Sequence, residues 1–332
     1  MANCDVLCVG DATTDVFIRL SDAHIHTRRE GEESWLDLPF GGKVPFDFAL
    51  TVDAGGNAAN AAVGLARLGV SSALAAHAGD DRIGRNMLSA LQHEGVDTHL
   101  VHLHPGRPTN RNFVLWYGED RTILVRHELY DYAWPYLSTD EVPHWVYLSS
   151  VGSDAPEYYE QIVRWLESEP SVQFVFQPGT FQIALGAAAL VGVYRRTDLL
   201  VCNREEAVEI GGGDHARMDD LLAHLHHLGP KTVVVTDGPA GACASDGSSR
   251  YRLPAYPDPK PPKERTGAGD AFTSALVAGL SKGLPLHEAL LWGPVNAMSV
   301  VQDVGSQTGL LTESALREHL GHAPKAYTVS SW

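Results

Sequence analysis

Residues Arg265 to Leu280 read RTGAGDAFTSALVAGL, a glycine-punctuated turn that runs straight into an apolar helix. Gly267 and Gly269 permit a tight backbone turn, so the first N–H groups of the helix point outward, unpaired, at the positive end of its dipole. Such a turn holds a phosphoryl group. Asp270 lies within it, where a carboxylate opposes a phosphate unless its task is to take a proton from an attacking hydroxyl. A plain glycine turn capped by Asp270 satisfies the same spacing, so this stretch alone leaves both readings open.

A second glycine-rich stretch runs from Gly55 to Gly69, GGNAANAAVGLARLG. Paired glycines let a ligand approach the backbone, and Asn57 and Asn60 offer amides suited to uncharged hydroxyls. A turn, an asparagine cap and a small-residue helix would read the same way. Around these stretches short β-rich runs (Val6 to Val9, Ser72 to Ala76, Trp145 to Leu148, Phe174 to Phe176, Leu199 to Cys202, Thr232 to Val235) alternate with amphipathic segments such as Gly84 to Glu94 and Glu157 to Glu167. That alternation predicts a parallel sheet covered by helices on both faces. Two excursions break the rhythm. Residues 17–52 contain the alternating FDFALTV, and residues 110–127 contain NRNFVLWY and RTILVRH around the turn at Gly118, Glu119 and Asp120. They predict a small β lid over the C-terminal edge of the main sheet, with residues 1–16, 53–109 and 128–332 forming the main α/β domain that binds nucleotide and substrate.

The 332 residues are 44% hydrophobic and 20% charged, an ordinary globular composition. With 41 acidic against 25 basic residues the formal net charge is -16, which argues against nucleic-acid or anionic-membrane partners and requires a local site for any anion. Cys4, Cys8, Cys202 and Cys243 lie in apolar runs without CxxC spacing and read as free thiols of a reducing compartment. No basic leader region and no membrane-length apolar run is present, so the expected location is cytoplasmic. The chain has no GxxxxGK[ST] loop, no HRD with DFG, and no GxGxxG after its first strand.

Together, Ala54 to Gly69 resembles the N-terminal signature of the ribokinase-like (PfkB-type) carbohydrate and nucleoside kinases, and Arg265 to Leu280 resembles their C-terminal signature with its GAGD core. Asp15, Gly79-Asp80-Asp81 with Gly84, Asn203 to Glu206 and Thr236 to Gly241 follow in the family's order, so the resemblance runs from about Asp5 to Leu320. It implies a three-layer α/β sandwich with a central, mostly parallel sheet and a small β-sheet lid. It also implies ATP-dependent phosphorylation of a sugar hydroxyl, with Asp270 as base and Gly267, Ala268 and Gly269 as the anion hole. By the same resemblance, Asp15, Gly56, Asn57 and Asn60 hold the substrate's hydroxyls, with Arg111 beside them. Asn203 and Glu206 support magnesium and phosphate, Glu206 indirectly, while Thr236, Gly238, Gly241 and Asn296 surround the nucleotide. Glu264 and Thr266 fall where many relatives bind a monovalent cation, which makes potassium a candidate activator. A second copy of the chain, docked through the lid, is the expected macromolecular partner.

Three alternatives stay open. Aromatic residues in and near the lid (Trp35, Phe46, Phe48, Phe113, Trp116, Tyr117) favour a nucleoside kinase. Lys43, Arg107, Arg111 and Arg126 favour a phosphosugar kinase, since each could meet a second phosphate. A non-catalytic metabolite-binding relative would be marked by loss of the GAGD residues, which this chain retains. Asn57 stands where ribokinases have lysine, and Leu148 to Gly152 lacks the acidic residue they use against their sugar, so ribose is not the expected acceptor.

Overall fold

The central strands carry apolar side chains in both directions, which only a sheet covered on both faces can bury. In Val6–Val9 (β1), Val6 and Cys8 enter one core while Leu7 and Val9 enter the other. The same division separates Val175 from Phe174 and Phe176, and Val234 from Val233 and Val235. The computed structural model describes residues 4–21, 25–31, 33–118, 120–153, 155–212 and 217–332.

The strands that follow are Thr13–Leu20 (β2), His26–Glu30 (β3), Glu33–Asp37 (β4), Phe46–Gly55 (β5), Ser72–Gly79 (β6), Val101–His104 (β7), Arg111–Tyr117 (β8) and Asp120–Leu124 (β9). After them come Trp145–Leu148 (β10), Gln173–Phe176 (β11), Leu199–Asn203 (β12), Thr232–Thr236 (β13), Ala242–Ser245 (β14), Arg250–Leu253 (β15) and Ser330–Ser331 (β16). Ten of them form one sheet in the order β16-β15-β14-β13-β12-β11-β10-β1-β6-β7. Pairing is parallel from β13 to β7 and antiparallel from β13 to β16. The chain order reverses about β1, which lies between β10 and β6, and the crevice beyond the C-terminal ends of those strands is where an open α/β sheet takes its ligand.

The helices Asn57–Arg67 and Ala268–Ser281 pack on one face of this sheet. Small residues set their spacing: a Cβ on Gly64 would meet Ser274 Cβ at 2.9 Å. Pro156–Ser168, Arg204–Gly211 and Met218–His227 cover the other face and complete three layers.

The lid is a second sheet in the order β5-β2-β8-β9, and β3 and β4 form a separate hairpin. Its first excursion begins at Thr13 and ends at Gly55, so residues 13–16 and 53–55, expected in the main domain, lie in strands of the lid sheet. The chain leaves the main sheet at Gly10, whose φ of 153° and contact with Ser150 O, 2.7 Å from where a Cβ would lie, mark a sharp exit. Of the turn expected at Gly118 to Asp120, Glu119 lies outside the described residues. Strands β7, β14, β15 and β16 carry too few apolar residues (VHLH, ACAS, RYRL, SS) to announce themselves by pattern.

Candidate active site

The helix Ala268–Ser281 starts from Gly267 at φ 82°, a left-handed conformation suited to glycine. A Cβ there would also come within 2.6 Å of Ser306 Cβ and 2.7 Å of Ser306 Cα, so both backbone shape and space demand glycine. Gly269 is different. A Cβ on it would approach only Gln177 Nε2, at 3.6 Å, so the space before it is open to a ligand. First-turn N–H groups, here those of Gly269 and Asp270, have no intrahelical acceptor.

Asp270 is buried at 4% exposure, yet its carboxylate is fully met by amides. Asn57 Nδ2 donates to Oδ1 at 2.9 Å, Gln177 Nε2 to the same oxygen at 3.0 Å, and Asn60 Nδ2 to Oδ2 at 2.8 Å. Burial pushes the carboxyl up to about 6, the amides oppose that rise, and the charge of Asp15 adds to it. Asn57 and Asn60, expected on substrate hydroxyls, are therefore turned toward Asp270. The Asn60 Oδ1 is already committed, because it accepts Ser306 Oγ at 2.9 Å and Gln307 Nε2 at 3.0 Å.

Gln177 escaped the sequence reading. It follows β11 at the sheet's C-terminal edge and is oriented by Tyr147, whose hydroxyl donates to its Oε1 at 2.6 Å. Its one visible signal was position, since ligand residues of α/β sheets gather at that edge.

On the lid side, Asp15 is buried and accepts from Thr13 Oγ1 and Asn112 Nδ2, both at 2.9 Å, through Oδ1. Its Oδ2 lies against Gly55, where the missing side chain leaves it room. Burial raises its pKa, against the effect of these donors and of His127. Gly56, at φ 96°, packs where a Cβ would meet Asp11 O at 2.7 Å. Arg111 corrects the expectation placed on it. Asn112 pairs with Asp15 in register and Arg111 with Thr14, and the Arg111 guanidinium lies over Phe113. Alternation along β8 thus sends Arg111 to the face opposite Asp15.

Deeper in the crevice Asp11 is held by Tyr132, whose hydroxyl donates to Oδ1 at 2.8 Å and Oδ2 at 3.0 Å. His127 Nδ1 stands 3.5 Å from Asp11 Oδ2.

Thr236, Gly238, Gly241, Ala268 and Gly269 line one cleft, whose further wall is Tyr256, Phe272, Pro294, Ala297 and Met298. Asn296 takes another place. It is fully buried, donates to Ala271 O at 2.9 Å and accepts from Leu311 N at 3.0 Å, so it ties helices together. Asn203 and Glu206 form a reciprocal capping box, each side chain bonding the other's backbone N–H at 2.8 Å. Glu264 bonds Thr266 N at 2.8 Å and Gly305 N at 3.2 Å and so braces its own loop, whereas Thr266 Oγ1 is buried without a partner.

The model of the pfkB family carbohydrate kinases matches residues 42–313. A fructokinase of Klebsiella pneumoniae is 28% identical over 297 residues, 82% of this chain and 87% of that protein. The structure of Arabidopsis thaliana ribokinase complexed with ribose and ATP superposes with a TM-score of 0.79 at 21% identity, covering 96% of this chain and 99% of that one. The nucleoside kinase of Methanocaldococcus jannaschii, an archaeal member of the ribokinase family, gives 0.75 at 19% identity and covers 97% and 100%. These likenesses in structure establish the ribokinase-like α/β sandwich. No helix among the described residues is long and apolar enough to cross a membrane. With a family match that spans most of its length, this chain belongs to the pfkB family of carbohydrate kinases and is an ATP-dependent sugar or nucleoside kinase.

Proposed function

We propose that the chain transfers the γ-phosphoryl group of ATP to a sugar hydroxyl, with Asp270 as general base and the Gly267 to Gly269 turn as anion hole. The observation that carries this reading is Asp270 itself, a buried carboxylate raised to about 6, held by three amides at the open mouth of a helix. A base poised slightly below neutrality is ionised at pH 7 and still accepts a proton readily. Asp270 takes the acceptor hydroxyl's proton as that oxygen bonds to the γ-phosphorus, the bond to the bridging oxygen breaks, and ADP departs. The N–H groups of Gly269 and Asp270 receive the charge on the transferring group. Ala268 and Gly269 join this mouth to the cleft of Thr236, Gly238 and Gly241, whose apolar wall of Phe272, Pro294 and Met298 suits a planar base.

Magnesium supplies charge neutralisation to the nucleotide's phosphates when bound. Glu206 fits a supporting role toward it: burial raises its carboxyl, and Asp270, Glu205 and Glu209 crowd it with like charge that a cation would relieve.

Asp270→Asn tests the reading. The variant leaves one amide donor without its acceptor, a cost of about 1–3 kcal/mol, but also removes a buried charge, so folding should survive. The expected outcome is a loss of about 10² to 10⁴ in kcat with the KM for ATP retained. A folded variant within a few-fold of wild-type kcat would reduce Asp270 to a cap.

A further inference from the structure

The acceptor end of the crevice carries more polar chemistry than transfer to a single hydroxyl needs. Beyond Asp15 lies a second buried carboxylate, Asp11, at 3% exposure. Tyr132 donates to both of its oxygens. Burial and Asp11 itself keep that phenol protonated, so Tyr132 fixes the carboxylate's direction. His127 stands beside Asp11, with its Nδ1 3.5 Å from Asp11 Oδ2, and it is among the groups that oppose the rise in the pKa of Asp15. At 3.5 Å that contact is too long for a good hydrogen bond, and Nδ1 is buried with no partner. Asn112 repeats the pattern, for its Nδ2 holds Asp15 while its buried Oδ1 is unpartnered. The His127 ring is seated edge-on against Phe181, with centroids 4.9 Å apart, which fixes where Nδ1 points. Unmet buried donors and acceptors are costly and are usually met by water or ligand.

The basic residues that would greet a second phosphate are elsewhere. Arg111 leaves β8 on the opposite face, and Arg107 is paired with Glu128 at 3.2 Å. Lys43 and Arg126 are exposed to solvent.

We infer that His127, set by Phe181 and working with Asp11 and Asn112, is a specificity-determining residue that reads hydroxyls at the far end of an uncharged polyhydroxy acceptor. A hydroxyl there bonds His127 Nδ1 and Asp11 Oδ2 together, closing the gap between them, and a second meets Asn112 Oδ1. Two neighbouring carboxylates, Asp11 and Asp15, reject a phosphorylated acceptor. Such a diol comes either from a free sugar or from the ribose of a nucleoside. The inference rests on the phosphoryl-transfer reading above.

The wild-type enzyme with ATP and magnesium, assayed by ADP release, is offered free hexoses and pentoses, nucleosides, and the matching sugar phosphates. Uncharged acceptors are expected to exceed their phosphates in kcat/KM by at least about 100-fold, and the first two arms distinguish sugar from nucleoside. A preference for a sugar phosphate overturns the inference and leaves the kinase reading standing. ADP release that no acceptor stimulates overturns the phosphoryl-transfer reading, and the inference falls with it. His127→Ala is then expected to raise the acceptor KM at least about tenfold with the KM for ATP within twofold. His127→Asn, whose amide can replace Nδ1, should recover most of the loss. An unchanged acceptor KM in a folded His127→Ala variant, or equal rises for acceptor and ATP, would show that the residue only packs.

Discussion

The two sides of the crevice are made of different materials. On the phosphoryl side of the proposed mechanism the groups that receive the charge are backbone N–H groups at a helix mouth beside Asp270, with glycine required at Gly267 because Ser306 fills the space where a Cβ would go. On the acceptor side the groups inferred to bind are side chains, namely Asp11, Asp15, Asn112 and His127, drawn from β1's end, β2, β8 and the segment after β9. Backbone geometry cannot change without changing the turn, whereas side chains can be exchanged one at a time. On the proposed mechanism, chemistry is thus fixed on one side and acceptor choice is adjustable on the other.

That contrast breaks if changes on the two sides have the same kinetic signature. Gly267→Ala should have the largest effect. The new Cβ meets Ser306 and the φ of 82° becomes strained, so the N–H groups shift and kcat should fall about 10² to 10³ for every acceptor alike. Thermal denaturation should show a loss of about 1–3 kcal/mol, and an unaltered kcat would remove the turn from the chemistry.

Asp15→Ala comes next. It should raise the acceptor KM about 10- to 100-fold, by an amount that varies from one acceptor to another, while the KM for ATP holds. A uniform fall in kcat instead would place Asp15 on the phosphoryl side.

Gln177→Leu sharpens the comparison, because Gln177 touches Asp270 but neither substrate in the proposed mechanism. Wild-type kcat/KM should rise with pH through about 6 and level off as Asp270 ionises. Gln177 stabilises the charged form, so its loss should move that limb to higher pH and cost about tenfold near neutrality. A limb that stays in place would separate Gln177 from the base.

Phe48→Ser should do least. Phe48 is 45% exposed on the lid and meets Trp116 edge-on at 5.9 Å, so stability should change by less than about 1 kcal/mol. A large drop in melting temperature would mean that the lid face is covered in solution.

Legibility follows the same division. The phosphoryl side is contiguous in sequence, and its turn, helix and aspartate are readable because local backbone rules alone specify them. The acceptor side depends on register. On a strand one residue decides the face, so Arg111 and Asn112 exchange roles on a pairing that no local pattern reveals. Asn57 and Asn60 were visible as polar residues beside paired glycines, but their partner lies 213 and 210 residues away, and only the packing of two helices turns them toward it. Gln177 and His127 belong to no motif at all. The sheet's edge and the lid's base bring them into the crevice.

The brace on the base also has a history in time. Asn60, which holds Asp270, is itself held by Ser306 and Gln307 across 246 and 247 residues, and Arg67 bonds the carbonyls of Gln307 and Leu310. During synthesis the strands and the asparagine helix are made long before those residues leave the ribosome. A nascent chain therefore carries the Asn60 helix and the Asp270 turn before the residues that brace Asn60 are available. A chain ended before Ser306 would lack the two donors that hold Asn60 Oδ1, and with them part of the brace on Asp270.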